Sequence, residues 1–590
     1  MCRIAGVIER NGTREVERVK AMCDAMYRGG PDDHGIFEAG HDGVVLGNRR
    51  LAIQDLSQAG HQPMISQDGT AVITFNGEIY NFLQLRSSLA TLGHQFSSRS
   101  DTEVILKAYE EWGEEAFAKL HGIFAIAIWD NRSGELVLAR DRSGIKPLYL
   151  FLDEQRLIFA SEIRGFRAAW PEWTEDPDWR IYFLSLGYLP GTRTTLQGVR
   201  QLERGTVMRL NVRSWKTHST QFHHAYYNYR IHSVEEAVEA VTEALSAAVN
   251  AQMISDAPLG VFLSGGLDSS ILTLLAQEHE SRQLQSISVA FDEERFSEQR
   301  YQDLLTRHLQ VRSHQQVIRQ QDFIDAIPDI LAAMDQPSID GINTYFISRV
   351  AREAGVKAVL SGIGADELFG GYPSFGRADH SSWMNAVPDL VRRLGRYVGD
   401  DRLRKVEFPG FGRGFGTYLL HRGLFTPSRV SWLLDTSESD VRGALHKLYE
   451  SIPEFVEYLE PLEQVSYLES AMYMQYQLLK DADYMGMWHG LEIRVPFLHD
   501  TVLDTVQSIA PEIKYHPDLA KHLLIKAFGS RLPLEIWNRP KQGFTFPFEV
   551  WMKQLNEVHS PLPQLDGYHH QLVQGRMYWS RYWAALLSKM

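Results

Sequence analysis

The chain contains very few cysteines, only Cys2 and Cys23 among 590 residues. Two cysteines cannot build a disulfide framework, so we expect a reducing compartment, the cytoplasm. Long apolar runs are also scarce, since the longest, "GIFAIAIW" from Gly122, is far shorter than the ~20 residues of a membrane-spanning helix. Charges at Arg3 and Glu9 interrupt the N-terminal segment, so we expect no secretory signal peptide.

The sequence also lacks basic clusters. It carries 60 lysines and arginines against 74 aspartates and glutamates, a formal net charge of −14. Nothing in this pattern favours a nucleic acid or an anionic membrane as a partner. The apolar fraction of 44% is that of a globular protein, and 590 residues exceed a single hydrophobic core, so we expect several domains.

Residues 1–205 have the pattern of a β-rich domain. Gly, Asn and Asp turn signals separate short apolar segments, including "CRIAGVIE", "TAVITFNGEIY", "IFAIAIWD" and "ELVLARD". A helix is predicted in "SDTEVILKAYEEWG", where Ser100 and Glu103 fit a capping box. We expect layered sheets covered by helices. Residues 206–235 are polar and irregular, which predicts a linker.

Residues 236–590 change to helix–strand alternation. "VEEAVEAVTEALSAAVNAQM" and "SSILTLLAQEH" predict helices, whereas "LGVFL", "LQSISVAF" and "KAVLSG" predict buried strands. This order predicts a doubly wound, mostly parallel sheet with a mainly helical C-terminal part, and ligands in such sheets bind beyond the carboxyl ends of the strands.

The string "SGGLDSS" lies between a predicted strand and helix. The backbone N–H groups of Gly265 and Gly266 predict an anion site, and the hydroxyls of Ser264 and Ser269 add donors. Asp268 would repel a phosphate unless a divalent cation lay between them, so Mg²⁺ is expected with the phosphate. The G-K-[ST] of a Walker A loop is missing. A tight strand–helix turn would explain the two glycines alone, but not the whole string.

"SGGLDSS" resembles the pyrophosphate loop of the N-type ATP pyrophosphatases. Together with "SGIGADELFGGY", it makes the C-terminal half similar to the synthetase domain of glutamine-dependent asparagine synthases. The resemblance implies that ATP adenylates a carboxylate, PPi leaves, and ammonia then displaces AMP. It also implies Mg²⁺ at Asp268 and Asp366, adenine beside Leu263 and Val289, ribose beside Ser361 and Gly362, and pyrophosphate against Lys521.

Cys2 follows the initiator methionine, whose removal would leave a thiol beside a free α-amine. That amine, with an ordinary pKa of ~7.7–8.0, can act as the base for its own thiol. The segments "GNRRLAIQDLS", "FNGEIYN" and "RSDTEV" resemble those of class II, N-terminal nucleophile glutamine amidotransferases. By position, the resemblance implies Cys2 as nucleophile, Arg50 at the glutamine carboxylate, Asn76 and Gly77 as oxyanion hole, and Glu78 and Asp101 at the α-ammonium.

Three departures from the family pattern bear on function. "YRGGPDD" puts Gly29 where an arginine is usual, which places the coupling between domains in question. Ile363 stands where well-studied asparagine synthases have an ammonia-handling glutamate, so Glu367, Asp366, Glu298 or the substrate's own groups would take that role.

The third departure lies in "DQPSIDGINTYFIS", which lacks the arginine proposed to grip the aspartate α-carboxylate. Asp340 and Gly341 occupy that neighbourhood, which argues against a small dianionic acceptor such as aspartate and would tolerate a carboxylate on a larger or amine-bearing molecule. Lys541 and Arg494 lie in further family segments, and a structural ion pair is the alternative reading for both.

The sequence therefore predicts a multidomain α/β and α+β chain. An α/β/β/α glutaminase domain, residues 1–205, precedes the linker and the ATP pyrophosphatase-like domain, residues 236–590. The expected activity is glutamine-dependent synthesis of asparagine from aspartate, with ATP as co-substrate and Mg²⁺ as cofactor. The alternative acceptors are a sugar acid of a surface polysaccharide or a natural-product metabolite. Intact Cys2 and Asp268 disfavour a β-lactam-synthetase-like or non-catalytic relative. A homodimer stays open.

Overall fold

The computed structural model describes residues 2–40, 42–223, 226–279, 283–377, 405–411, 413–555 and 567–588. Seventeen strands form three sheets in these ranges. The strands are β1 Cys2–Glu9, β2 Asp33–Ala39, β3 Val44–Arg50, β4 Met64–Ile65, β5 Ala71–Ile79, β6 Gly122–Asp130, β7 Glu135–Arg140, β8 Tyr149–Leu152, β9 Arg156–Ala160, β10 Arg200–Gln201, β11 Thr206–Asn211, β12 Lys216–Gln221, β13 Leu259–Phe262, β14 Gln285–Phe291, β15 Arg312–Ile318, β16 Ala358–Leu360 and β17 Glu492–Arg494.

Helices cover the sheets and make up most of the C-terminal part. They are α1 Val16–Ala25, α2 Phe82–Thr91, α3 Asp101–Trp112, α4 Ile163–Ala169, α5 Trp179–Leu186, α6 Val234–Gln252, α7 Leu267–His279, α8 Gln299–Leu309, α9 Gln320–Ala333, α10 Ile342–Glu353, α11 Ala365–Phe369, α12 Arg413–Arg422, α13 Pro427–Leu434, α14 Glu438–Glu450, α15 Pro461–Leu468, α16 Leu479–Trp488, α17 Asp500–Ser508, α18 Pro511–Lys514, α19 His522–Phe528, α20 Leu534–Trp537, α21 Phe548–Trp551, α22 Tyr568–Val573 and α23 Trp579–Leu587. A π-helix, Glu469–Leu478, joins α15 to α16.

Two antiparallel sheets face each other in the N-terminal domain. The first has the order β10-β8-β9-β1-β3-β2 and the second the order β12-β11-β7-β6-β5-β4. Apolar side chains such as Ile4 and Leu46 of the first sheet share a core with Val72 and Leu138 of the second. Helices α1 and α4 cover the first sheet, and α2 and α3 cover the second. This α/β/β/α arrangement confirms the predicted layers.

The predicted linker is shorter than the sequence suggested. Residues 206–221 form the hairpin β11–β12, and β11 pairs along its whole length with β7. The hairpin has polar residues because β12 is exposed, while Val207 and Leu210 of β11 are buried in the sheet. The connector to α6 therefore begins after Gln221.

The capping box expected at α3 is also wrong in detail. The Ser100 hydroxyl accepts the N–H of Thr102 at 3.1 Å, rather than that of Glu103. The Glu103 carboxylate instead accepts the N–H groups of Ser97 and Ser98 at 2.8 and 2.7 Å. Glu103 thus organises the loop before the helix, while Ser100 alone caps it.

A parallel five-stranded sheet with the order β15-β14-β13-β16-β17 forms the centre of the C-terminal domain. One core cluster covers each face, so the sheet is doubly wound as predicted. The sequence did not indicate β15, which is rich in polar residues, or β17, which has only three. Because β13 and β16 are neighbours, the loops that follow them open at the same edge of the sheet.

Ion pairs cross between the two domains. Asp483 of α16 accepts from Arg3 at 2.6 Å and from Lys146 at 3.2 Å, and Arg142 contacts Asp504 at 2.5 Å. A Cβ at Gly29 would lie 2.8 Å from Arg3 Cγ, so the glycine makes room for this arginine. Arg3 is thus one of several arginines at this interface, together with Arg142 and with Arg28, which lies 3.8 Å from Asp329. Across the described ranges, no helix is long and apolar enough to cross a membrane.

Candidate active sites

Cys2 lies at the start of β1, in the interior of the N-terminal domain. Its side chain is only 4% exposed, and its backbone nitrogen donates to Asn76 Oδ1 at 3.2 Å. Burial raises the pKa of the Cys2 thiol. A buried thiol with a raised pKa needs a neighbouring base to become a nucleophile.

Asn76 and Gly77 form a polar pocket on β5 beside that thiol. The Asn76 side chain is fully buried, yet its Nδ2 has no hydrogen-bond partner among the described residues. A buried amide donor without a partner is costly unless a ligand completes it. A Cβ at Gly77 would lie 2.0 Å from the carbonyl oxygen of Ile123 on β6, so only glycine fits. An unpartnered amide donor of this kind can stabilise an oxyanion.

Arg50 stands directly opposite Cys2 in the β1–β3 register. Its guanidinium donates to the carbonyl oxygens of Gln54, Asp55 and Ser57 at 3.2, 2.5 and 3.1 Å. These bonds use three of its five N–H donors and leave two for a ligand carboxylate. The loop thus fixes the guanidinium beside the thiol.

Glu78 and Asp101 lie together beneath the same pocket. Burial raises the pKa of Glu78, with Glu492 and Asp101 adding to the effect. Burial also raises the pKa of Asp101 to about 6, although its carboxylate accepts the Ile79 N–H at 3.0 Å. Two buried carboxylates that disfavour their own charge are suited to a ligand ammonium.

Sequence reasoning missed two glutamines at this site. Gln62 Nε2 lies 3.8 Å from Cys2 Sγ, and Gln54 Nε2 donates to Glu78 at 2.5 Å. Neither has a charge or a spacing that would mark it in the sequence. Both lie in the loop that connects β3 to β4.

The second site is a cavity of about 650 Å³ at the carboxyl ends of β13 and β16. Many of the predicted nucleotide residues line it, namely Ser264, Gly266, Asp268, Ser269, Ser361, Gly362, Asp366 and Lys521. Leu263 and Val289 are buried in the cores on either side of the sheet, and neither they nor Gly265 line the cavity. The structure therefore brings the two loops together as the topology predicts.

Lys521 joins the two loops electrostatically. Its Nζ donates to Asp268 Oδ2 at 2.5 Å and also contacts Asp366 Oδ1. Burial opposes the lysine charge, but the two carboxylates outweigh it and raise the pKa of Lys521. Burial likewise disfavours the Asp366 charge, yet Lys521 and Lys541 hold its pKa down at about 2. Burial raises the pKa of Asp268, and the neighbouring Lys521 opposes that rise.

Lys541 completes this cluster, with its Nζ 2.6 Å from Asp366 Oδ1 and 3.0 Å from the Gly371 carbonyl oxygen. A Cβ at Gly371 would lie 1.8 Å from the Asp366 carboxylate and 2.3 Å from Lys521 Cε. The absence of a side chain at Gly371, in the "FGGY" segment, therefore lets Lys521 approach Asp366. Two lysines beside a glycine-rich loop form a phosphate-binding environment.

Part of the cavity lining is acidic. Asp340, Glu367 and Asp481 line it, and burial raises the pKa of each. Their hydroxyl donors are Tyr473 to Asp340 at 2.9 Å, Tyr372 to Glu367 at 2.7 Å and Ser338 to Asp481 at 2.6 Å. The cationic side chains of the lining, Lys521, Lys541 and Arg539, are paired with carboxylates elsewhere.

Two family models match this chain. The asparagine synthase model matches residues 240–566, and the glutamine amidotransferase domain model matches residues 1–226. The chain belongs to the asparagine synthase family. Its members are ATP-dependent amidotransferase ligases that hydrolyse glutamine, which agrees with the resemblance found in the sequence.

Individual relatives extend over nearly the whole chain. Asparagine synthetase (glutamine-hydrolyzing) 1 of Bacillus subtilis is 33% identical over 97% of this chain and 92% of its own. Asparagine synthetase (glutamine-hydrolyzing) 3 of the same organism is 30% identical over 92% of this chain and 87% of its own. Amidase chry2 of Gibberella zeae is 26% identical over 92% of this chain and 87% of its own.

The two aspartates beside Lys521, Asp268 and Asp366, fit a divalent cation. Asp268 Oδ1 is buried and has no hydrogen-bond partner among the described residues. No group of three or more His, Cys, Asp or Glu in those ranges could hold a metal by itself. Mg²⁺ is commonly bound by one or two carboxylates together with substrate phosphates, which matches Asp268 and Asp366.

Ile363 lines the cavity and packs against both cores. Of the three side chains considered in its place, Asp366 is occupied by two lysines, and Glu298 is paired with Arg539 at 2.6 Å outside the lining. Glu367 lines the cavity, and burial together with Asp366 raises its pKa to about 7. Of the three, Glu367 is therefore the carboxylate that lines the cavity and has no ion pair among the described residues.

Proposed function

We propose that this family member uses glutamine and ATP to convert a carboxylate into an amide. The observation that carries the proposal is the presence, in one chain, of two complementary sites. Cys2 faces an unpartnered Asn76 amide in one domain, and Lys521 bridges Asp268 and Asp366 in the other. The first is suited to releasing ammonia and the second to activating a carboxylate.

In the glutaminase half, the Cys2 thiol gives its proton to the α-amine freed by removal of the initiator methionine. The thiolate adds to the glutamine side-chain amide, and Asn76 Nδ2 with the Gly77 N–H stabilises the oxyanion. As the intermediate collapses, the C–N bond breaks and the α-ammonium of Cys2 returns its proton to the leaving nitrogen. Ammonia departs and leaves a thioester, which water hydrolyses to glutamate. Arg50 would bind the α-carboxylate, and Glu78 with Asp101 the α-ammonium.

In the synthetase half, an acceptor carboxylate oxygen attacks the α-phosphorus of ATP and PPi leaves. Lys521 lies where it can balance charge that develops on the departing pyrophosphate. Asp268 and Asp366 would hold Mg²⁺, which neutralises phosphate charge when bound. Ammonia that arrives by an internal path then attacks the acyl-adenylate carbon, the acyl–oxygen bond breaks, and AMP leaves with the amide formed.

Aspartate is the first candidate acceptor, with asparagine as product. The supporting observation is the similarity to two Bacillus subtilis proteins that bear the name asparagine synthetase. The second candidate is a different, amine-bearing carboxylate. It is favoured by Asp340, Glu367 and Asp481 at the acceptor end, because an ammonium group would compensate these buried acids better than a second carboxylate.

The deciding experiment measures PPi release with glutamine, ATP and Mg²⁺ across a panel of carboxylic acids that includes aspartate. Aspartate and amine-bearing monocarboxylates of increasing length form its two main arms. A response to aspartate supports the first candidate, and silence with aspartate but a response to an amine-bearing monocarboxylate supports the second. Absence of PPi with every acid, despite glutamate release, would refute the ligase proposal.

A further inference from the structure

One side chain of the synthetase sheet reaches the glutamine pocket. Arg494, the last residue of β17, is fully buried, and its Nη2 lies 3.7 Å from the Glu78 carboxylate. Its Nη1 donates to the carbonyl oxygens of Gln252 and Ile254, at the end of α6, at 2.6 and 2.7 Å. Its Nε contacts Glu492 of the same strand. The guanidinium is therefore held on three sides.

The backbone of the same residue touches the nucleotide loop. The Arg494 carbonyl oxygen accepts the N–H of Ser361 at 2.8 Å, and Arg494 pairs with Leu360 in the β16–β17 register. Ser361 lines the nucleotide cavity. A shift of Arg494 would thus be transmitted to the loop proposed to bind the ribose, without passing through any flexible segment.

Acidic charge lies next to Arg494. Glu492 and Glu78 are its buried carboxylate neighbours, and Glu78 in turn lies near Asp101. The α-ammonium of glutamine would add a positive charge at Glu78 and weaken its attraction to Arg494. In a water-excluded interior, charges at such a separation interact far more strongly than at the surface.

We propose that Arg494 is a positioning residue that couples occupancy of the glutamine pocket to the geometry of the Ser361 loop. The inference rests on the proposed function, since it assumes that Glu78 binds the glutamine ammonium and Ser361 the nucleotide. Coupling between two sites is reciprocal, so ATP must change the affinity for glutamine by the factor with which glutamine changes that for ATP.

The test measures the KM for glutamine in glutamate release, with and without ATP and Mg²⁺. We expect ATP to change this KM about fivefold or more in the wild type. In Arg494→Lys, a single ammonium cannot serve Glu492, Glu78 and two carbonyls together, and in Glu492→Gln the charge that anchors the guanidinium is lost. Both variants should bring the KM ratio within about twofold of one, and more glutamate should form per PPi.

Arg142→Lys is the matched control, because Arg142 also joins the two domains, at Asp500 and Asp504, but touches neither site. It should keep the wild-type ratio. A wild-type KM for glutamine that does not change with ATP would overturn the coupling. A folded Glu492→Gln protein that keeps the wild-type ratio of the two KM values would overturn it too. PPi release driven by added ammonium reports the ligase function separately. Its absence from the wild type would refute that function, and its persistence beside a flat KM ratio would refute only the coupling.

Discussion

The glutamine pocket and the nucleotide cavity differ in how the chain builds them. The pocket residues lie on β1, β3 and β5 or at the first turn of α3, and they are almost completely buried. The cavity is lined by loops and helix ends that extend from Phe262 to Thr545. Strand register fixes the first site, whereas long-range ion pairs fix the second. Substitutions in the glutamine pocket should therefore impair its reaction but leave its structure intact, whereas substitutions in the ion pairs of the nucleotide cavity should disturb both.

Replacement of Cys2 gives the largest expected effect and separates the two sites. Cys2→Ala should lower glutamine-dependent PPi release at least ~1,000-fold, because no other group can form the thioester. PPi release with added ammonium should stay near the wild-type rate. Cys23→Ala, which removes the other buried thiol, is the control and should keep both activities. Equal loss with both nitrogen sources would contradict the independence of the sites.

Asp268→Asn should impair the ligase reaction with either nitrogen source. The neutral amide has the size of the carboxylate that it replaces, but it removes one of the two negative charges at Lys521. We therefore expect PPi release to fall by ~100-fold or more. Glutamate release without ATP should be unaffected. Asp518→Asn changes an exposed residue of the same cavity and should behave as wild type. Normal PPi release by Asp268→Asn would place the nucleotide elsewhere.

Asn76→Ala tests whether the unpartnered amide is an oxyanion donor. Loss of one such donor should lower kcat for glutamine hydrolysis ~100- to 1,000-fold with little change in KM. Asn81→Ala, in the same "FNGEIYN" segment, removes an amide that bonds to the Lys119 carbonyl instead. It should leave kcat unchanged. A change confined to KM in Asn76→Ala would assign this amide to substrate binding.

Asp101→Asn should show the smallest effect on activity together with a gain in stability. Folding raises the pKa of Asp101 to about 6, so the folded state binds more protons than the unfolded state between about pH 4 and 6. Wild-type stability therefore falls as pH rises through that window. The variant should be about 2–3 kcal/mol more stable than wild type above pH 6, with no advantage near pH 4.

Thermal unfolding at pH 4 and pH 8 measures this difference for Asp101→Asn. Glutamine KM should rise ~10-fold at pH 8, since the ammonium loses one carboxylate. Ser100→Ala, which removes only the helix cap, should lower stability at both pH values. A stability change of Asp101→Asn that is the same at both pH values would show that the carboxyl is already ionised at pH 4 in the folded protein.

The difference between the two sites explains how much of each could be predicted from the sequence. Strands β1, β3, β5 and β13 and the meeting of the two glycine-rich loops follow from apolar periodicity and parallel topology. Lys521 and Lys541 could be placed only by resemblance, because ion pairs between distant segments leave no periodic signal. The hairpin β11–β12 was missed because its outer strand is exposed and polar. Gln54 and Gln62 were missed because neutral amides carry no local signature.

The ion pairs between the two domains have a consequence for expressing either domain alone. Arg3 and Lys146 are nearly inaccessible to solvent and share Asp483 from the distant C-terminal domain. An N-terminal half expressed alone would leave Lys146 without Asp483 and Arg3 with Glu162 of its own domain, and the remaining half would leave Asp483 without either cation. A chimera with a relative's domain would assemble only if the matching acid and base were exchanged together.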